Sequence, residues 1–156
     1  IAITRTQAKK QALLDAGAAH VIVSDEEDIV ERVMTITAGQ GARVVFDPVG
    51  GPSFEPLTQS MARGGILLVY GALSSEPTPF PLFTVLGKSL TLKGYIYAEI
   101  VADLEALERA KAFILQGLKS GTLRPIIAKT FALSYIQDAH RFLEANQQIG
   151  KIVVTV

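Results

Sequence analysis

Short apolar runs alternate with amphipathic stretches along this chain, and the hydrophobic period switches repeatedly between strand and helix spacing. Ile1–Thr4 reads as a strand. Gln7–Ala16 puts Ala8, Ala12, Leu13 and Ala16 on one helical face, and Gly17 follows as a C-terminal cap. His20–Val23 is a short apolar strand. Asp25 is placed to cap the next helix, with Glu26, Glu27 and Asp28 suiting its N-terminal dipole and Ile29, Val30, Val33, Met34 and Thr37 forming its buried stripe. Gly39-Gln40-Gly41 breaks that helix. Ala42–Phe46 is continuously apolar apart from Arg43, the pattern of a strand covered on both faces.

The alternation continues to the C-terminus. A turn at Asp47-Pro48-Val49-Gly50-Gly51 leads to a helix over Phe54–Ala62. Gly64-Gly65 precedes a strand at Ile66–Tyr70, and Gly71–Pro79 is a loop. A short helix at Leu82–Leu86 leads to the strand Leu90–Gly94. Asp103 caps a long helix whose Leu104, Leu107, Ala110, Ile114, Leu115 and Leu118 keep helical spacing, and Gly121 ends it. Pro125–Phe131 is extended. Ser134 and Gln137 form a capping box for a helix reaching Asn146, and Gly150–Val156 is a last strand.

Strands separated by helices predict an α/β fold with parallel pairing, a doubly wound sheet. Ligands of such sheets bind beyond the C-terminal ends of the strands. The segments to weigh are therefore Arg5-Thr6, Val23-Ser24, Asp47–Gly51, Tyr70–Leu73 and Gly94–Tyr97. Arg5, Thr6, Lys9 and Lys10 follow the first strand without a carboxylate. At the ribose end of a dinucleotide site an acidic residue favours NAD, and a basic one accommodates the 2′-phosphate of NADP. A solvated basic helix start gives the same pattern. The glycines at 50, 51 and 71 either let backbone approach a ligand or simply make tight turns.

Composition narrows the partners. The 156 residues carry zero formal net charge, 49% hydrophobic and 19% charged residues, so a packed globular chain is expected and disorder is not. No basic surplus points to nucleic acid, and the longest apolar runs are far too short to span a bilayer. Without cysteine there is no thiolate metal site or disulfide. His20 and His140 lack ligand spacing and read as ordinary surface or half-buried residues. Ser53, Ser60 and Ser134 lack the setting of a hydrolase nucleophile.

Several segments in fixed order carry a family likeness: Thr4-Arg5-Thr6 to Lys9, Leu14–Ala18, Val44–Gly51, Arg63-Gly64-Gly65, Val69-Tyr70-Gly71 and Gly150–Val153. On these the chain resembles the medium-chain dehydrogenase/reductase superfamily, in its zinc-independent quinone oxidoreductase branch. The resemblance implies an NADPH-dependent reductase of quinones, enones or similar activated double bonds. It implies that Thr6 and Lys9, helped by Arg5, hold the 2′-phosphate. Ser24 takes the place of a tyrosine often found near the adenosine phosphate. Val49 and Gly50 would lie against the adenosine and ribose side, Tyr70, Gly71 and Ala72 beside the nicotinamide ribose, and the Gly94–Ile96 backbone, with Tyr95, at the nicotinamide end. Lys151 would approach the cofactor from the returning tail.

The same resemblance divides the chain into a Rossmann-type NAD(P)-binding portion, 1–121, and a returning piece of the catalytic domain, 122–156. It places the first strand, its glycine-rich turn, any catalytic tyrosine and any zinc ligands before residue 1, so no catalytic residue is assigned. In the strand order 3-2-1-4-5-6 that first strand is central. The expectation is that the gap closes, a second chain fills it, or the missing segment, part of the protein's own N-terminal half, was present and cleaved. NADPH binding by these residues alone is expected to be weak. A small-molecule substrate, a cytoplasmic location and a homodimer through the edge strand 90–94 complete the expectations. Zinc-type alcohol dehydrogenases and synthase enoyl-reductase domains share this cofactor half. A signalling receiver, with Asp47 as phosphoacceptor, lacks its acidic pair after the first strand. A non-catalytic assembly domain is the remaining alternative.

Overall fold

A computed structural model describes all 156 residues, in two compact units, Ile1–Ala102 and Asp103–Val156. In the first unit β1 (Ala2–Thr4) pairs in parallel with β2 (Val21–Val23). A 3-10 turn at Gln7–Lys9 and the helix α1 (Lys10–Asp15) connect them, so the predicted helix over 7–16 is split in two. A second parallel sheet has the order β3-β4-β5, with β3 Ala42–Asp47, β4 Met61–Val69 and β5 Thr91–Gly94. Between these strands lie α2 (Ile29–Ile36), α3 (Phe54–Gln59) and α4 (Leu82–Lys88), followed by α5 (Tyr97–Ala102). No ladder joins β1 to β3. Of the three outcomes foreseen for that gap, closure is therefore not adopted.

The core sits on one face of the larger sheet. Phe54 and Leu57 of α3 pack with Met61 and Leu67, and Val45, Val69 and Leu92 close around them. Paired residues of parallel strands share a face. Val44 and Ile66, a pair, are 51% and 41% exposed, and Phe46 is 60% exposed. β3 is thus covered on one face only. Its unbroken apolar run predicted two covered faces because periodicity cannot report which neighbours are present. β4 is also longer than expected: it runs from Met61 through Gly64-Gly65, with a register shift opposite Ala42–Val44, so α3 ends at Gln59. Lys88 holds the end of α4 to this region, donating to the carbonyls of Gln59 at 2.5 Å and Met61 at 2.7 Å. Burial pushes its ammonium pKa down.

Asp28, not Asp25, caps α2, its carboxylate accepting from Glu31 N–H at 2.8 Å. Asp25 is instead drawn back to the first strand, its N–H bonded to the Arg5 carbonyl. The Glu27 carboxylate accepts the Val23 N–H at 2.8 Å and lies 2.8 Å from Nε of Arg32 on α2, linking the exit of β2 to that helix.

In the second unit Asp103 caps α6 (Leu104–Ser120), accepting from Glu105 and Ala106 N–H, and Gly121 ends it in the left-handed region. The apolar stripe of α6 is not buried: Leu104, Ile114, Leu115 and Leu118 are exposed. β6 (Ile127–Ala132) and β7 (Lys151–Thr155) pair in parallel around α7 (Ile136–Glu144). The predicted capping box is absent. Leu133–Tyr135 is a 3-10 turn, so Ser134 lies inside it and α7 starts without a side-chain cap.

The Val23 N–H, and secondarily Arg32, hold the Glu27 carboxyl below its ordinary range. A depressed carboxyl contributes stability above its unfolded pKa and loses it as pH falls through the folded one. The melting-temperature difference between wild type and Glu27→Gln is therefore expected to be present at neutral pH and to shrink below about pH 4.5. Thermal denaturation across an acid series measures it.

Candidate functional site

Asp47 ends β3 and is 1% exposed. Its Oδ1 accepts the Val49 N–H at 2.8 Å, and both its oxygens accept the Gly50 N–H at 3.2 Å. Those bonds roll the chain into a side-chain-stabilised turn at the strand's exit. Gly50 sits at φ 67° and ψ −148°, a conformation essentially confined to glycine. The turn is tied to the next exit. Tyr70 N–H donates to the Asp47 carbonyl, Leu73 N–H to Pro48 and Ser74 N–H to Val49. A Cβ on Gly71 would stand 2.6 Å from the Pro48 oxygen, so only glycine lets the two backbones meet.

β5 leaves the sheet beside them. Tyr95 N–H donates to the Val69 carbonyl, and its ring stacks on Tyr70 with centroids 5.9 Å apart and planes 27° apart. The Glu99 carboxylate accepts the Ile96 N–H at 3.3 Å, while Glu99 N–H donates to the Ile96 carbonyl. Tyr70, Gly71, Ala72, Tyr95, Ile96 and Glu99 line an open, mostly apolar cleft of about 490 Å³.

At the end of β1, Arg5 and Thr6 are exposed. Arg5 enters none of the chain's ion pairs. Ser24 at the end of β2 meets them through backbone and side chain, its N–H donating to the Thr4 carbonyl at 2.9 Å and its Oγ at 3.4 Å. Lys9 lies in the 3-10 turn that follows.

The anticipated residues thus fall into groups. Arg5, Thr6, Lys9 and Ser24 gather at the exits of β1 and β2. Val49, Gly50, Tyr70, Gly71, Ala72 and Tyr95 gather at the exits of β3, β4 and β5. Lys151 belongs to the other unit, where it opens β7 exposed, its N–H bonded to the Ile126 carbonyl. His20 and His140 are both exposed, and no three His, Asp or Glu side chains converge as a metal site. Sequence reasoning missed Glu99 and the helix that carries it. The signal was available: Tyr97–Ala102 has no glycine or proline, and Glu99 lies three residues after Ile96, the residue before the helix, where it can bond back to it.

Comparison with known proteins gives the family and the fold. Residues 1–112 match the zinc-binding dehydrogenase family, and the chain belongs to it, within the medium-chain dehydrogenase/reductase superfamily and on its quinone oxidoreductase-like side. It is 33% identical over 150 residues to a quinone oxidoreductase of Salmonella typhimurium, covering 91% of this chain and 44% of that protein. It is 26% identical to a 2-haloacrylate reductase of a Burkholderia species, covering 99% of this chain and 47% of that one. Among solved structures, the Escherichia coli quinone oxidoreductase complexed with NADPH superposes with a TM-score of 0.90 at 30% identity, over 99% of this chain and 48% of its own. The fold is that of the Rossmann-type NAD(P)-binding domain. The chain spans somewhat under half the length of the curated relatives it matches.

Two substitutions test the joined turns. Asp47→Ala orphans two backbone N–H groups and is expected to cost about 2–4 kcal/mol. Gly71→Ala forces the Pro48 backbone aside and is expected to cost about 1–3 kcal/mol. Urea denaturation measures both, and an unchanged midpoint for either contradicts the assigned contact.

Proposed function

We propose that this chain is the cofactor-binding portion of an NADPH-dependent oxidoreductase that reduces quinones, enones or similar activated double bonds. The observation that carries the reading is the pair of groups at the strand exits: an unpaired arginine with a hydroxyl and a lysine at one, and a glycine-lined apolar cleft at the other. The residues present fit the dinucleotide. Gly50 and Gly71 let the turns that frame the cleft pack together, since a Cβ there would meet Thr78 Oγ1 or the Pro48 oxygen, and no carboxylate is ion-paired to Arg5 to repel a phosphate.

When bound, NADPH supplies a hydride. Arg5, Thr6 and Lys9 would hold its 2′-phosphate, the arginine as a fork and the lysine as a point charge. Ser24 would border the same end. Val49 and Gly50 would flank the adenosine ribose, and Tyr70, Gly71 and Ala72 the nicotinamide ribose. Tyr95 would stand at the nicotinamide end. Lys151 would approach the cofactor as well. The reading keeps residues 1–121 as the cofactor portion and 122–156 as a returning piece of the catalytic domain. It includes zinc-independent chemistry, a cytoplasmic setting and a small-molecule substrate. No helix is long and apolar enough to cross a membrane.

Calorimetric titration with the half-ligands 2′,5′-ADP and 5′-AMP tests the phosphate assignment. 2′,5′-ADP is expected to bind at least tenfold more tightly, and Arg5→Ala with Lys9→Ala is expected to remove that preference, each charge-assisted bond contributing roughly 1.5–3 kcal/mol. Equal affinities for the two nucleotides overturn it. Association of two copies along the free edge of β5, Thr91–Gly94, belongs to the same proposal. Sedimentation equilibrium is expected to show a dimer, and a monomer at every concentration rules this edge out.

A further inference from the structure

The loop after β4 returns to α4 through Ser75-Glu76-Pro77-Thr78-Pro79-Phe80, every residue of which is exposed. No core holds this stretch. Pro77 and Pro79 have no N–H to donate, and each favours an extended residue before it, so Glu76 and Thr78 are stiffened without being anchored. The anchor is a side chain. Thr78 Oγ1 accepts the N–H of Gly51, a buried residue 27 positions earlier, at 2.7 Å. At the near end of the loop Ser74 N–H donates to the Val49 carbonyl at 2.9 Å, and Ser74 Oγ accepts the Glu76 N–H at 3.1 Å. The glycines of the β3 turn lie against this loop. A Cβ on Gly51 would collide with the Ser74 hydroxyl, and one on Gly50 would stand 3.0 Å from Thr78 Oγ1.

We propose that Thr78 is a positioning residue for the cofactor: its hydroxyl latches the loop after β4 onto the turn after β3. The backbone flanking the two riboses is then held as one surface. This role rests on the reading of Val49–Gly50 and Tyr70–Ala72 as those flanking segments. The first segment is fastened by Asp47, and the second by the Leu73 and Ser74 N–H groups. The latch adds a tie at the far end of the loop, where nothing else in the loop reaches the turn's donors. A dinucleotide touches both segments and gains from their being held together. A half-ligand that reaches only the adenosine side leaves the β4 exit empty and gains less. Ligand and latch favour each other by the same factor, so bound NADPH in turn holds the latch closed. A valine at 78 has no acceptor and leaves the buried Gly51 N–H unmet, whereas a serine keeps the acceptor.

The test titrates NADPH and 2′,5′-ADP into the 156-residue chain and reads both affinities from backbone amide resonances. Their ratio is the gain contributed by the nicotinamide half. Thr78→Val is expected to lower that gain about fivefold, the weight of one neutral hydrogen bond, and Thr78→Ser to restore it. The preference for 2′,5′-ADP over 5′-AMP, set at the β1–β2 rim, should not change in either variant. A hydroxyl with a merely structural role would lower the melting temperature of Thr78→Val and leave the gain as it was, and that result overturns the proposal. Amide exchange in the unaltered chain is a second measurement that needs no variant to fold. Saturating NADPH is expected to slow exchange at Gly51 about fivefold beyond 2′,5′-ADP, and equal rates overturn the latch. The two levels separate. A 2′,5′-ADP preference with a gain that survives Thr78→Val removes only the role of Thr78. A wild-type chain that shows no gain from the nicotinamide half removes the ribose assignment of both exits, and the latch with it.

Discussion

The constraint on which the site depends is the buried carboxylate of Asp47. A carboxylate almost fully removed from water is tolerable only when its oxygens are satisfied. Here the Val49 and Gly50 N–H groups satisfy it. Meeting that need fixes the turn after β3, and the turn presents the Pro48 carbonyl for Leu73 and the Val49 carbonyl for Ser74. The exit of β4 is therefore built against the exit of β3, with Gly71 at the point of closest approach. Through Val69 and Tyr95 the same framework reaches the exit of β5. One acid thus fixes the turn on which the β4 exit is built, and the β5 exit joins that framework through the sheet.

Parallel pairing explains why residues so far apart in sequence come together. Every strand in a parallel sheet ends on the same side, so each exit adds its loop to one rim. The chain uses this asymmetrically. The β1–β2 rim is basic and hydroxylic, whereas the β3–β4–β5 rim is glycine-rich and aromatic. The proposed ligand, with a phosphorylated end and a flat redox end, would meet that gradient in chemistry, which no single motif encodes.

Much of this was legible in the chain. The strand cores, the Asp47–Gly51 turn, the Asp103 cap and the Gly121 stop were all read from local chemistry, because caps and turns are decided by neighbouring residues. The position of Arg5 and Thr6 at the exit of β1 was legible as well, because the apolar run before them ends there. What escaped depends on competition or on distant neighbours. Asp25 and Asp28 are equally good caps by composition, and the backbone tie of Asp25 to Arg5 decides between them. Ser134 satisfied a capping pattern that a 3-10 turn overrode. The bare side of β3 and the uncovered stripe of α6 were unreadable, since a hydrophobic pattern says what needs covering and not whether anything covers it.

The division of the proposed site between two rims has a thermodynamic consequence. Within these residues the basic rim belongs to the β1–β2 sheet and the aromatic cleft to the β3–β4–β5 sheet. A ligand long enough to touch both would act as a molecular ruler. Capture of its first end would raise the effective concentration of the second at the other rim.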